Sequence, residues 1–352
     1  TKNRTVAKHM LALPSVKLVT ITVTESGYSP NSPLFEYLAC GLRNRTTPIT
    51  VMSCDNIRQN GLVLETQFLA YLYQTNQYEL VDWVKDNVYF PSCMVDRITP
   101  RTHDDLRREV EELFPSHGND AIQTEEYSQW VMENKFIADF PDLSQVGVTI
   151  TSYIDPYEET KIRILNGGHT SLAYLGALSG YTTFDQVMRN KSHLDHFRKL
   201  QSEEIIPSLD INIPFDVYEY VDMVESRFSS VTNIDELERI CMDGFTKFHT
   251  FIVPSLRVCL NRGKRPIQIY KSIAAWYIYS RKFAKGCKKI RYNEPNWLLL
   301  EPLLRDGALD SFVSNERLWG DIPKNYITFS RDLKSILMSS TYEREIDLLG
   351  ED

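Results

Sequence analysis

The sequence predicts a two-part molecule: an α/β domain over residues 1–150, followed by an all-α domain over residues 151–352. Three observations predict it. Short β-branched runs alternate with helical stretches as far as Tyr153, strand signals fade after about Asp155 in favour of long helical periods, and 352 residues with 42% hydrophobic and 24% charged content can bury two cores.

In the first half, Lys17 to Glu25 (KLVTITVTE) and Pro48 to Ser53 (PITVMS) read as strands, with a helix over Leu34 to Leu42 between them, a β-α-β order. Asn60 to Gln74 and Tyr78 to Lys85 are predicted as helices, and Cys93 to Ile98 and Val146 to Tyr153 as further strands. This alternation implies a parallel or mixed sheet covered by helices, a common setting for a dinucleotide. The second half predicts helices near Pro156 to Ala177, Leu194 to Ile206, Val217 to Phe228, Asp235 to Leu260 and Pro266 to Phe283. No internal repeat or low-complexity tract interrupts either half.

A formal charge of -8 disfavours nucleic acid as a partner, because a phosphate backbone needs a basic face; a small or neutral ligand fits better. The six cysteines never form a C-x-x-C pair, so neither a zinc site nor a redox motif is signalled, and most of them read as reduced, packed thiols of a cytoplasmic protein. The apolar run Met10 to Leu13 is too short for a signal-peptide core. No segment approaches the ~20 apolar residues of a membrane span, so no membrane partner is expected. A nucleotide-binding α/β domain usually opens with a glycine-rich turn, yet no G-x-G-x-x-G occurs anywhere in the sequence.

The segment D-P-Y-E-E-T-K-I-R-I-L-N-G-G-H-T, Asp155 to Thr170, is the most informative. Asp155 suits an N-cap, Pro156 the first helical position, and Glu158 follows three residues after the cap. At 100° per residue His169 lies about 80° round the helix from Lys161 and one turn above Asn166, so the three can face one cleft. A desolvated lysine can act as a general base on a substrate hydroxyl, with Asn166 donating to the alkoxide, His169 orienting the substrate and Glu158 relaying protons or gating water. The same spacing also fits a surface lysine paired with Glu158, a kink at Gly167 and Gly168, and a core histidine.

Ser53 to Asn56 (S-C-D-N) directly follow a strand, where open α/β sheets bind ligands; Asn56 suits a second amide donor, or equally a turn. Asp96 and Arg97 in M-V-D-R-I-T-P fit a structural ion pair as well as a direct role. Arg239 and Lys247 are eight apart and, on one long helix, point to one side, either to grip substrate hydroxyls or as a solvated face. His193 and His196 have helical spacing for a metal, but without a third ligand they read as exposed helix residues. The aromatic residues of A-A-W-Y-I-Y-S-R, Ala274 to Arg281, read as helix core.

Six segments then follow one another in a familiar order: T-V-T-E-S-G-Y (Thr22 to Tyr28), S-C-D-N-I-R-Q-N-G, M-V-D-R-I-T-P-R, Q-W-V-M-E-N, P-Y-E-E-T-K-I-R-I-L-N-G-G-H-T and M-D-G-F-T-K. Together they resemble the mannitol dehydrogenase family of polyol-specific long-chain dehydrogenases, from about Lys17 nearly to the C-terminus. The resemblance implies a Rossmann-like α/β domain, incomplete in this sequence, ahead of the helical domain. It implies Lys161 as catalytic base, Asn166 and His169 as its partners, Asn56 as the second oxyanion asparagine and Glu158 as the gating carboxylate. Arg239 and Lys247 match the substrate-contacting pair, Asp96 an aspartate beside the site, and Glu25 a position near the cofactor ribose and nicotinamide.

The implied activity is metal-independent oxidation of a polyol to a ketose with NAD, NADP being left open, in a monomer or homodimer, in the cleft between the domains. V-D-R-I-T-P-R, D-G-F-T-K, R-G-K-R-P (Arg262 to Pro266) and F-V-S-N-E-R-L-W-G-D look most like D-arabinitol 4-dehydrogenases, with mannitol 2-dehydrogenases and hexuronate reductases as near relatives. Departures from the family are the missing glycine-rich unit and a Tyr28 to Leu34 stretch shorter by roughly thirty residues than such connections suggest. The residues that contact the pyrophosphate and choose between NAD and NADP are therefore expected outside this sequence. Other readings are a mannitol-1-phosphate dehydrogenase, which needs a basic pocket, and a noncatalytic sugar-binding scaffold, which the missing glycine-rich turn favours.

Overall fold

Two β-branched runs, LVTI and ITVMS, pair in parallel with Val19 opposite Val51 in the computed structural model, which describes residues 4–30, 32–137, 139–232 and 234–339. The first helix, α1 (Arg4–Ala12), precedes β1 (Leu18–Ile21); α2 (Pro33–Leu42) connects β1 to β2 (Ile49–Ser53). Helices α3 (Asn60–Gln74) and α4 (Tyr78–Asn87) lead to β3 (Val88–Tyr89), which extends the parallel order β1-β2-β3. Ser32 caps α2 by accepting from Leu34 N–H, and Pro33 takes the first turn, where no amide is needed. Phe35, Leu38, Val51, Leu64, Phe68 and Phe90 are buried together under these elements. Buried Arg45 donates to the carbonyls of Leu11, Leu13, Val16, Thr47 and Pro48 and so ties the approach to β1 against that to β2.

A second sheet carries β4 (Cys93–Asp96), β5 (Gln129–Glu133) and β6 (Thr149–Thr151), with β4 antiparallel and β6 parallel to β5. Several boundaries differ from the sequence expectation. The strand expected to reach Glu25 stops at Ile21, because Thr24 takes a left-handed φ of 62° and the Val23 and Thr24 amides turn to the Asp55 carboxylate. Strand β5 was not anticipated: Val131 and Met132 are both buried, which breaks the alternation that marks a strand. Helix α5 (Asp104–Leu113), which buries no residue, was also missed.

The chain forms two compact units, one of Thr1–Arg97 with Glu126–Glu158 and one of Ile98–Glu125 with Glu159–Asp352. The helical unit contains α7 (Gly167–Leu178), α8 (Phe184–Arg189), α9 (Lys191–Lys199), α10 (Val217–Phe228), α11 (Leu237–Ile240), α12 (Gly244–Lys247), α13 (Val253–Asn261) and α14 (Ile267–Ala284); α6 (Asp155–Thr160) spans the boundary. Trp276, Tyr174, Phe248, Phe312 and Trp319 are buried in its core, and the aromatic run of α14 is core as expected. No helix among the described residues is long and apolar enough to cross a membrane.

Glu204 bears on stability. It is buried and accepts the Gln268 and Ile269 amides, both at 2.8 Å, at the start of α14. Burial raises its carboxyl to about 7, against the lowering effect of those two amides. Because the folded value lies above the unfolded one, this group favours folding below about pH 4.5, and that advantage is lost as pH rises to about 7. Glu204→Gln is expected to flatten the fall in stability between pH 5 and pH 8 by up to about 3 kcal/mol. Urea unfolding at the two pH values checks this; an unchanged fall excludes Glu204 as the titrating group.

Candidate active site

In the α/β unit, β1 and β2 end side by side, and their loops are fastened by Asp55. Its carboxylate accepts Val23 N–H (3.0 and 3.1 Å), Thr24 N–H (2.8 Å) and the Tyr28 hydroxyl (2.6 Å), and Tyr28 also meets Ser53 Oγ at 2.5 Å. Asn56, the next residue, is exposed on this braced loop. Glu25 opens the 3-10 turn Glu25–Tyr28, but its side chain lies outside the described residues. Asp96 is buried at the end of β4, opposite Gln129.

Glu158 is 5% exposed and accepts the Gln59 N–H with both oxygens, at 3.2 and 3.1 Å. Burial raises its carboxyl to about 7, opposed by the Gln59 hydrogen bond, so it changes charge within the neutral range. Gln59 adopts a left-handed φ of 48°, which aims its amide away from α3.

In the helical unit, Lys161 to Asn166 form not the α-turns expected from the sequence but a π-helical segment between α6 and α7. Its i to i+5 bonding brings residues five apart, such as Lys161 and Asn166, closer to one face than an α-helix does. Lys161 is 6% exposed, and Asn166 is half-buried. Two more π segments, Leu200–Ile205 and Phe248–Ile252, lie nearby in the fold. Gln201 Nε2 donates to the Ile164 carbonyl at 3.2 Å. Gly167 keeps helical dihedrals, φ -64° and ψ -46°, where the π segment passes into α7. A Cβ on Gly168 would lie 2.7 Å from the Phe197 ring, and one on Gly167 3.3 Å from the Phe251 carbonyl, so the paired glycines permit close packing of the π segments.

His169 sits between the Phe228 ring, stacked at 5.1 Å, and the Phe184 ring, edge-on at 4.3 Å. Its Nε2 is 3.8 Å from Asp235, but burial, outweighing that carboxylate, lowers the imidazole to about 3 and keeps it neutral. It is thus a neutral hydrogen-bonding group. NMR is expected to show no titration of the His169 ring between pH 5 and pH 8; a midpoint within that range contradicts its burial as a neutral ring.

Arg239 and Lys247 do not share a long helix. They stand on α11 and α12, separated by a turn in which Asp243 has a left-handed φ of 53°. A Cβ on Gly244 would meet Trp276 Nε1 at 2.3 Å and Tyr174 Oη at 2.5 Å, so this glycine lets the chain press onto the core as it turns. Arg239 is exposed and grips both oxygens of Asp235, with Nε to Oδ1 at 2.8 Å. Lys247 donates to the Ile240 carbonyl at 2.7 Å, and burial lowers its amine. Both cations act electrostatically on His169.

Asp55, Gln59 and Asp235 were not singled out from the sequence. Asp235 is four residues before Arg239, a spacing that signals a helical ion pair, and Asp55 lies in the strand-end motif already marked for Asn56. His193 and His196, expected as exposed, are instead packed: His193 Nε2 meets Ser179 Oγ at 3.0 Å, and buried His196 Nε2 meets Ser272 Oγ at 3.1 Å. Among the described residues no group of three or more His, Cys, Asp or Glu is arranged to hold a metal ion.

A parallel β-α-β unit whose strand-end loops are braced by Asp55, joined in sequence to a helical unit with a buried lysine and a neutral histidine, defines a Rossmann-like protein with a mostly helical C-terminal domain. The mannitol dehydrogenase Rossmann-domain model matches residues 2–145, and the mannitol dehydrogenase C-terminal-domain model matches residues 153–336. The chain belongs to the mannitol dehydrogenase family.

The mannitol 2-dehydrogenase of Cereibacter sphaeroides is 35% identical over 348 residues, covering 89% of this chain and 71% of that protein. That of Phaeosphaeria nodorum is 31% identical, covering 94% and 63%, and the D-arabinitol 4-dehydrogenase of Ralstonia nicotianae is 31% identical, covering 88% and 72%. The chain thus spans about two thirds of the length of these relatives. Among solved structures, the Pseudomonas fluorescens mannitol 2-dehydrogenase ternary complex with NAD and D-mannitol is similar with a TM-score of 0.81 at 29% identity, covering 99% of this chain and 77% of that one.

Proposed function

We propose that the protein is a metal-independent polyol dehydrogenase that oxidises a secondary alcohol of a D-arabinitol- or mannitol-type polyol to a ketose with NAD. The observation that carries this reading is buried Lys161 at the head of a π-helical segment that ends at Asn166 and leads into the helix bearing His169, in a chain of this family. The similarity to a mannitol 2-dehydrogenase complex with NAD and D-mannitol supports the cofactor, and the likeness to a D-arabinitol 4-dehydrogenase supports the substrate class. The braced loops after β1 and β2 fit the ribose–nicotinamide end of such a cofactor, with Glu25 and Asn56 as the residues that hold it.

Bound NAD supplies the carbon that accepts the hydride. Lys161 takes the hydroxyl proton as general base. Asn56 and Asn166 donate to the alkoxide oxygen as charge develops. Neutral His169, with Arg239, Lys247 and Asp96, holds the polyol hydroxyls, and Glu158 passes the proton onward or gates water. In this reading residues 1–150 serve the cofactor and 151–352 the substrate. The six free cysteines suit a cytoplasmic setting.

The test is NADH formation by the purified protein with D-arabinitol and D-mannitol, alongside NADH binding followed by fluorescence. Turnover of either polyol supports the proposal. Neither turnover nor NADH binding favours a noncatalytic relative instead.

A further inference from the structure

Outside the groups assigned to catalysis, the α/β unit brings two thiols together. Cys54 directly follows β2 and is half-buried; Cys93 opens β4 and is 2% exposed. Their sulfurs are 3.9 Å apart across 39 residues of sequence. A disulfide needs about 2.05 Å between sulfurs, so each side chain must travel only about 1 Å.

The backbones on either side are held firmly. Cys54 N–H donates to the Ile21 carbonyl at 2.7 Å. Cys93 donates its N–H to Asn60 Oδ1 at 2.9 Å and accepts Asn60 Nδ2 on its carbonyl at 2.7 Å. The Cys93 thiol points to the Ser53 carbonyl, at 3.0 Å, and to Cys54 Sγ.

This arrangement gives the sulfurs unequal roles. The hydrogen bond to Cys54, together with burial, holds Cys93 protonated well above the ordinary thiol range. Accepting that bond lowers Cys54, against its own partial burial. The more accessible sulfur is therefore also the one that ionises more readily, which is the setting of a peroxide-reactive thiol with a resolving partner.

We propose that Cys54 and Cys93 form a reversible oxidation site for hydrogen peroxide, Cys54 reacting first and Cys93 resolving it. The Cys54 thiolate attacks one peroxide oxygen; the O–O bond breaks to give a sulfenic acid and hydroxide, and the hydroxide takes up the proton the thiol had shed to become one water. The Cys93 sulfur then attacks the sulfenic sulfur, its proton leaves with the hydroxyl as a second water, and the S–S bond closes. The two thiols supply the two electrons that reduce the peroxide, and a dithiol reductant reverses the change. The bond ties the loop carrying Asp55 and Asn56 to the start of β4, so the oxidised form is expected to bind ligand at that loop differently. The chemistry itself does not depend on the dehydrogenase proposal.

Peroxide titration of the native chain, with mass spectrometry of alkylated peptides, tests this. The expected result is a fall from six free thiols to four, a peptide pair linking Cys54 to Cys93 lighter by two hydrogens, and full recovery with dithiothreitol. Cys93→Ser should stop at oxidised Cys54 without a cross-link, and Cys54→Ser should leave Cys93 unreactive. Prior reaction of half-buried Cys40 or Cys287, or accumulation of Cys54 sulfinic acid in the wild type with Cys93 still free, overturns the proposal. The readout is thiol mass alone, so an inactive dehydrogenase does not affect it.

Discussion

Lys161→Ala is expected to lower kcat for polyol oxidation by roughly 10²- to 10⁴-fold, the usual contribution of a general base. The loss should fall equally on kcat and kcat/KM, because the proton is taken only in the transition state. Lys161→Arg should do no better, since a guanidinium keeps its charge but cannot give up its proton at neutral pH. Alanine is a good helix former, so the variant should remain folded; an unchanged circular dichroism spectrum with the lost rate separates chemistry from collapse. Asn166→Ala should cost about 10²- to 10³-fold if its amide steadies the alkoxide. NADH formation under saturating polyol checks each variant.

Arg227→Ala should cost about 3–5 kcal/mol of stability, the penalty for stripping one partner from a buried ion pair. Arg227 and Glu125 have side chains only 6% and 9% exposed, and they meet in a two-pronged pair with Nε to Oε2 at 3.0 Å and Nη2 to Oε1 at 2.7 Å. Glu125 also accepts the Ile98 N–H at 2.6 Å, so one carboxylate joins both ends of the Ile98–Glu125 segment to α10. Losing the guanidinium leaves that carboxylate buried without its cation. Urea unfolding should register the loss, and hydrogen exchange should quicken first across 98–125. A cost below about 1 kcal/mol contradicts a desolvated pair and matches an ordinary surface bridge.

That segment also shows where sequence reading stops. Glu125 and Arg227 are 102 residues apart, and neither neighbourhood has a periodicity that reveals the partner. By contrast, the Asn60–Gln74 and Val217–Phe228 helices were legible to the residue, α10 because Asp216 caps it, accepting from Tyr218 and Glu219, ahead of a regular apolar stripe. The strand from Lys17 was overread because β propensity does not reveal that Asp55, more than thirty residues on, captures the Val23 and Thr24 amides.

The grouping of Lys161, Asn166 and His169 on one helical stretch was legible, but their angular relation was not. An α-helical period was assumed where Lys161–Asn166 is π-helical, and the support for that segment comes from Gln201 and the π segment Phe248–Ile252, distant in sequence. His196 was misread for a similar reason: its partner, Ser272, lies on α14.

The most direct test of the lysine as base is rescue of Lys161→Ala by small primary amines. In NAD-linked oxidation of D-arabinitol or D-mannitol, the variant rate should climb with added methylamine or ethylamine, while the wild-type rate stays flat. A Lys161→Ala enzyme that keeps the wild-type rate without any amine contradicts the account.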